Sequence, residues 1–204
     1  MLELMNGQMS TLQEKFFEAP PTGIPLEKGR LLVSVPFNSD GYFDRTVILL
    51  VEHNSEGAMG FILNRPMHVY LKDVLPDLSG CLHVLHNGGP VGLDRLFYLH
   101  RYEQLAENAQ QLAEGLYFGG SASEIRSLLS VGLMEEERIR FFAGYSGWSA
   151  GQLERELDEQ VWVVADMSRE YFETPGERLW RSVVRSLGDA YGSWLEIPDK
   201  ASYN

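Results

Sequence analysis

The chain has 204 residues, 44% of them hydrophobic and 23% charged, the composition of an ordinary globular domain and not of a fibrous or wholly disordered chain. A chain of this length buries on the order of 70% of its unfolded surface, so one sizeable core is expected. The formal net charge of −12 repels phosphate backbones and disfavours direct nucleic-acid binding, while the single cysteine, Cys81, excludes an intrachain disulfide and fits a reducing compartment.

In chain order, the opening segment carries Glu3 where a secretion signal would carry Lys or Arg. No window reaches the roughly 18 apolar residues of a membrane span, so the expected location is the cytoplasm, away from membranes. Residues 1–28 read as an N-terminal extension, either a docking helix or a flexible tail: a Met- and Leu-bearing stretch through Phe16 and Phe17 breaks at Pro20-Pro21. Residues 29–204 read as a single domain. Short runs rich in β-formers and bounded by turn residues predict strands at 31–35, 46–51 and 58–63. The loop between the last two holds His53, Asn54, Ser55 and Gly57, which suit a hairpin, so these strands are expected to be antiparallel neighbours.

A short helix follows at 71–75, then strands at 82–86 and 96–100 separated by a tight glycine turn over 86–91. The acidic stretch 103–114 leads into a short run at 116–118, and Gly119-Gly120-Ser121 opens a helix through Leu128 and Leu129. A strand at 138–145, a helix at 150–158, a strand at 160–165 and a helix at 175–187 complete the order. Hairpins mixed with helical crossovers make this an α+β chain.

Several stretches together resemble one family: Gly29-Arg30-Leu31-Leu32 with Pro36; Glu52-His53-Asn54 through Gly57-Ala58 and Asn64-Arg65-Pro66; Gly88-Gly89-Pro90-Val91; and Gly144-Tyr145 with Gly147-Trp148, running into Gly151-Gln152-Leu153-Glu154. Separate motifs in one order over residues 29–187 resemble the YqgE/AlgH family of bacterial proteins. That resemblance implies an α+β fold with a bifurcated, partly barrel-like, mostly antiparallel sheet surrounded by helices. It also implies a transcriptional-regulator label without an assigned molecular activity.

Gly147-Trp148-Ser149-Ala150-Gly151 matches the nucleophile elbow of serine hydrolases and sits between a predicted strand and helix. All five histidines, His53, His68, His83, His86 and His100, precede Ser149, whereas the elbow order places the histidine after it. Ser149 and Gln152 also form the S-x-x-Q capping box of a helix start, and this structural role is preferred. Cys81, His83 and His86 offer metal ligands, but strand alternation puts His86 on the opposite face, and no four-ligand spacing exists, so neither a metal nor a cofactor is expected.

The candidate binding pocket gathers His53, Asn54, Asn64 and Arg65 from one hairpin with Gly88, Gly89, Asp94 and Arg95 from the glycine turn and the residues just after it. The glycines would let backbone amides approach an anion, and either arginine would supply a bidentate cation. The structural reading, in which the glycines solve a turn problem and the arginines pair with Asp44, Asp94 or Glu52, is preferred for these residues, with the pocket as the candidate site beside it. Arg178, Arg181 and Arg185 predict one basic stripe on the last helix, read as a solvated face. The preferred function is a non-enzymatic interaction or small-ligand-binding protein whose partner is an unknown protein or a small anionic ligand. A hydrolase using Ser149 and a direct DNA-binding regulator are the alternatives.

Overall fold

Val47, Ile48, Leu49, Leu50 and Val51 form an unbroken aliphatic run, the pattern of a strand covered on both faces. The computed structural model, which describes residues 20–36 and 41–197, buries all five completely. Ten strands form in the described residues: β1 (Leu31–Ser34), β2 (Val47–Asn54), β3 (Gly57–Ile62), β4 (Pro66–Tyr70), β5 (Val84–Asn87), β6 (Val91–His100), β7 (Ala109–Ala113), β8 (Leu116–Gly119), β9 (Ile139–Ser149) and β10 (Trp162–Ala165). Between and after them run the helices α1 (Leu71–Val74), α2 (Ala122–Ser130), α3 (Gln152–Asp158), α4 (Arg169–Glu173), α5 (Gly176–Ser186) and α6 (Gly192–Glu196). The fold is α+β, with the sheet curled into an open half-barrel.

The sheet runs β10-β1-β2-β3-β9-β6-β8-β7, with the β4–β5 ribbon attached to β9 off this path. The fork lies on β9. Its first half pairs with β5 in parallel and with β6 antiparallel, whereas its last residues, Ser146 to Ser149, pair with β3. β5 and β3 meet where Ile62 N donates to Gly88 O at 3.0 Å.

Alternation along β1, β2 and β3 sends Leu31, Val33, Leu49 and Phe61 to one face and Leu32, Ile48, Leu50 and Ile62 to the other. On the first face α5 inserts Leu179, Trp180, Val183 and Val184, and Trp180 Nε1 donates to Ser34 O at 2.9 Å. On the second, α3 contributes Leu153 beside Trp148 and Trp162. A third cluster joins α1 and α2 to the first half of β9 through Leu71, Ile125, Leu129, Ile139 and Phe141. Each such fully buried side chain contributes about 1.5–3 kcal/mol relative to exposure, so the three clusters share in holding one sheet.

Most predicted elements are present, with informative differences. β6 starts at Val91 and not at 96, because residues 92–95 bulge out of register opposite Gly144. β4 and β7 were not expected: β4 starts with a proline and alternates in exposure, and β7 lies inside the acidic stretch. β9 continues to Ser149, and α3 begins only at Gln152, with Gly151 as its N-cap in the left-handed region at φ 69°. Residues 20–28 lie outside the regular elements but against the domain, where Thr22 Oγ1 donates to Val164 O at 2.9 Å and Ile24 and Leu26 pack against the cluster that includes Trp162. The rest of the expected N-terminal extension lies outside the described residues.

Candidate functional site

The β2–β3 ribbon places the predicted pocket residues at opposite ends. His53 pairs with Ala58 beside the hairpin turn, while Asn64 and Arg65 follow the far end, where Ile48 pairs with Ile62. Asn54 Oδ1 accepts the Glu56 amide at 2.8 Å and shapes the turn. Asn64 joins two segments: its Oδ1 accepts Val47 N at 2.9 Å and its Nδ2 donates to Arg45 O at 2.8 Å. Arg65 Nη2 donates to the carbonyls of Tyr42 and Asp44 at 2.9 and 3.0 Å.

Gly88 and Gly89 carry the chain across β9. A Cβ on Gly88 would lie 2.3 Å from Gly144 O, and one on Gly89 would lie 2.2 Å from the Tyr145 carbonyl carbon, so only glycine permits this crossing. Their amides are already engaged, Gly88 N by Ala143 O and Gly89 N by Asn87 Oδ1, each at 3.0 Å. Asp94 and Arg95 stand exposed on the β6 bulge. The structure therefore brings Asn64 and Arg65 to residues 42–47, and the glycines to 143–146, and it does not gather all eight residues around one cavity.

A different convergence emerges. Once Gly88 and Gly89 have crossed β9, Val91 pairs with Tyr145, and the bulge then draws the next residues away. Among the described residues no strand pairs with Ser146 to Ser149 on the side away from β3. Gly147 and Ser149 are exposed there, while Ser146 and Trp148 are buried. Two cavities of about 450 and 300 Å³ flank this segment and share Gly147 and Trp148. The larger reaches Asn54, Gly57 and Val91; the smaller reaches Pro90, Gln152 and Trp162. Residues from separate family motifs thus line one groove.

The groove has an apolar lip and an acidic rim. Val91, which lines the larger cavity, is 41% exposed, and Leu93, on the adjoining bulge beside Gly144, is 60% exposed, large values for aliphatic side chains so close together in the chain. Glu52 and Glu56 edge the larger cavity, and Glu156 and Glu159 the smaller. Glu156 also fixes the groove wall: its Oε2 accepts Trp148 Nε1 at 2.8 Å and Trp162 Nε1 at 2.7 Å, and its Oε1 accepts Gln152 Nε2 at 2.9 Å. Nearby, His53 Nε2 lies 2.8 Å from Glu154 Oε1, and this hydrogen bond holds the Glu154 carboxyl below its ordinary range.

Ser149 ends β9 and is not the N-cap of α3. The capping-box expectation holds in half: Gln152 Oε1 accepts the Ser149 amide at 3.0 Å, but the Ser149 hydroxyl donates to the same oxygen at 3.1 Å and does not accept a helix amide. The hydroxyl's partner is an amide oxygen and not an imidazole. Cys81 and His83 do share a side, with Sγ 3.0 Å from His83 Nδ1, and burial pushes the thiol up and the imidazole down. The basic stripe is interrupted, since Arg181 Nη1 donates to Leu195 O at 2.7 Å at the end of α6.

The AlgH-like family profile (DUF179) matches residues 31–192. The chain belongs to the AlgH-like family. A UPF0301 protein of Chlorobium chlorochromatii is 38% identical over 180 residues, covering 88% of this chain and 96% of its own. The solution structure of AlgH from Pseudomonas aeruginosa, also UPF0301, is similar with a TM-score of 0.66 and 31% identity, over 88% of this chain and 98% of that one. A crystal structure of a Corynebacterium diphtheriae protein is similar with a TM-score of 0.73 and 25% identity, over 88% and 96%. No helix among the described residues of this AlgH-like chain is long and apolar enough to cross a membrane.

Sequence reasoning passed over Val91, Leu93, Gly147 and Glu156 as site residues. Gly147 and Val91 stand within family motifs, but their exposure follows from where β6 begins to pair, with Val91 opposite Tyr145. Glu156 carries a weak signal, its position four residues after Gln152 on one helix face.

Proposed function

We propose that this AlgH-like protein is a polypeptide-docking module, in which the open β9 edge at Gly147 takes up an extended segment of a partner protein. The observation that carries this reading is the segment 146–149, which among the described residues pairs with β3 on one side and with no strand on the other, next to exposed Val91 and the bulge that bears Leu93. A strand edge supplies backbone donors and acceptors to any extended chain, and side pockets then select its residues. Glu52, Glu56 and Glu159 around the groove favour a segment bearing Lys or Arg between apolar residues. The same charge repels an anion, so a protein partner is preferred to a small anionic ligand at this place. A regulatory effect of the protein, in the cytoplasm, is exerted through such a partner and not by contact with DNA, against which the net charge of −12 acts.

The test is a selection of displayed extended peptides on the full-length protein. Enriched peptides carry alternating apolar and basic residues, their affinity falls with added salt, and Leu93→Asp lowers it. Enrichment of acidic peptides, or binding indifferent to Leu93→Asp, overturns the reading.

A further inference from the structure

A separate cleft of about 270 Å³ lies between the β5–β9 pair and the corner where α4 gives way to α5. It shares no residue with the β9 groove. Arg140 lines it from β9, and His86 from β5. Arg140 Nη1 donates to Leu63 O at 2.9 Å and Nη2 to Phe172 O at 2.5 Å, and its guanidinium carbon sits 4.9 Å from the Phe172 ring centroid. A guanidinium has five N–H donors, so these carbonyls leave others unused.

None of the ion pairs among the described residues includes Arg140. Burial draws its pKa down to about 10, which leaves it cationic at neutral pH. Its neighbours are two carbonyls, the Phe172 ring and, without an ion pair, the Glu136 carboxylate, which raises its pKa. A desolvated cation without a direct counter-ion is costly, and an anion entering the cleft would relieve it. His86 adds no competing charge: its Nδ1 lies 3.2 Å from Val84 O, and burial, with Arg140 nearby, lowers its pKa to about 3.

The opposite wall contributes a second feature of the same sign. Thr174, Pro175 and Gly176 line the cleft at the start of α5, a helix of 11 residues whose N-cap, Pro175, makes no side-chain cap. Its first amides are directed by the helix geometry toward the N-terminal end, where anions are stabilised. Gly176 packs closely there, since a Cβ would lie 3.0 Å from Pro66 Cδ.

The remaining wall is acidic. Glu136 and Glu137 line the cleft, with Glu136 Oε1 accepting Val84 N at 3.2 Å, and Glu173 is held in an ion pair by Arg101. A simple anion would meet Arg140 and the α5 terminus but also these carboxylates. A ligand with both charges satisfies both walls.

We propose that this cleft binds a small zwitterion of the α-amino acid class, its carboxylate on Arg140 and the first turn of α5 and its ammonium toward Glu136 and Glu137. Neither half of such a ligand fits alone: acetate lacks the group that the glutamates favour, and ethylamine lacks the one that Arg140 favours.

The experiment titrates the ¹⁵N-labelled full-length protein with each protein amino acid and with acetate and ethylamine. At least one amino acid should saturate shifts of the Gly176 and Glu177 amides, binding about tenfold or more tightly than acetate or ethylamine, the step expected from one added charged hydrogen bond. Glu137→Gln, at an exposed position, should weaken the amino acid several-fold and leave acetate no weaker. Arg140→Lys should weaken amino acid and acetate alike; because Arg140 also braces Leu63 and Phe172, the Glu137→Gln comparison decides the matter should the lysine variant not fold. No saturable shift with any amino acid, acetate as tight as the best amino acid, or no effect of Glu137→Gln overturns the proposal.

Discussion

Replacing Glu156 with leucine removes the acceptor of two indole N–H groups while keeping a similar volume. Trp148 and Trp162 are 7% and 3% exposed, so neither indole readily finds water in its present position. An orphaned buried donor costs about 1–3 kcal/mol, and Glu156 itself is only partly buried, which lets some water in. Two donors then give about 2–4 kcal/mol of lost stability. Glu156→Gln keeps one oxygen able to accept both indoles and sets an amide N–H₂ against Gln152, so a loss of about 1 kcal/mol is expected. Urea denaturation read by far-ultraviolet circular dichroism measures both, with the slope checked for constancy so that midpoints convert to free energy. A leucine variant within about 0.5 kcal/mol of wild type, the range of an ordinary surface substitution, would refute the reasoning, as would a glutamine variant less stable than the leucine one.

Ser149→Ala should cost no more than about 1 kcal/mol, since the Ser149 amide keeps its bond to Gln152, and wild-type Ser149 should not react with a fluorophosphonate probe; stoichiometric labelling there would revive a serine nucleophile. Gly89→Ala should lose more than about 3 kcal/mol or fail to fold, because its Cβ meets the Tyr145 backbone and not a movable side chain; a stable variant contradicts the crossing geometry. Acid should weaken the fold. His83, His86 and His100 all have lowered pKa values through burial, so the unfolded chain binds protons first and stability falls as pH drops below about 6.5, toward about 3 for His86. Each such histidine contributes up to about 1.4 kcal/mol per pH unit, and a flat profile between pH 7 and 4 would contradict their burial.

The strands of the centre were legible because β1 and β2 are covered on both faces and so read as unbroken aliphatic runs. The β2–β3 hairpin was legible from its turn residues. The α+β class followed from the element order, and the forked, curled sheet only from the family resemblance: β5 joins β9 in parallel across more than fifty residues, a pairing no local pattern announces. β4 and β7 escaped notice for the opposite reason, as partly exposed strands without an apolar run. At the site, residue types were readable but roles were not. Asn64 and Arg65 look equally suited to a ligand and to a loop, and only their bonds to residues 42–47 distinguish the two. The Ser149 capping box was displaced because Gly151, two residues on, takes the left-handed N-cap position. The open edge at Gly147 depends on the crossing of Gly88 and Gly89 over β9, after which β6 pairs only from Val91 opposite Tyr145, a consequence of register.

Amide hydrogen exchange at residues 146–149, with and without a saturating basic and apolar peptide from the display selection, tests the docking account most directly. Strand addition predicts that exposed amides in this segment gain protection in the complex, while those at the distant Gly176 and Glu177 do not. Unchanged exchange at 146–149 in a fully bound sample would contradict it.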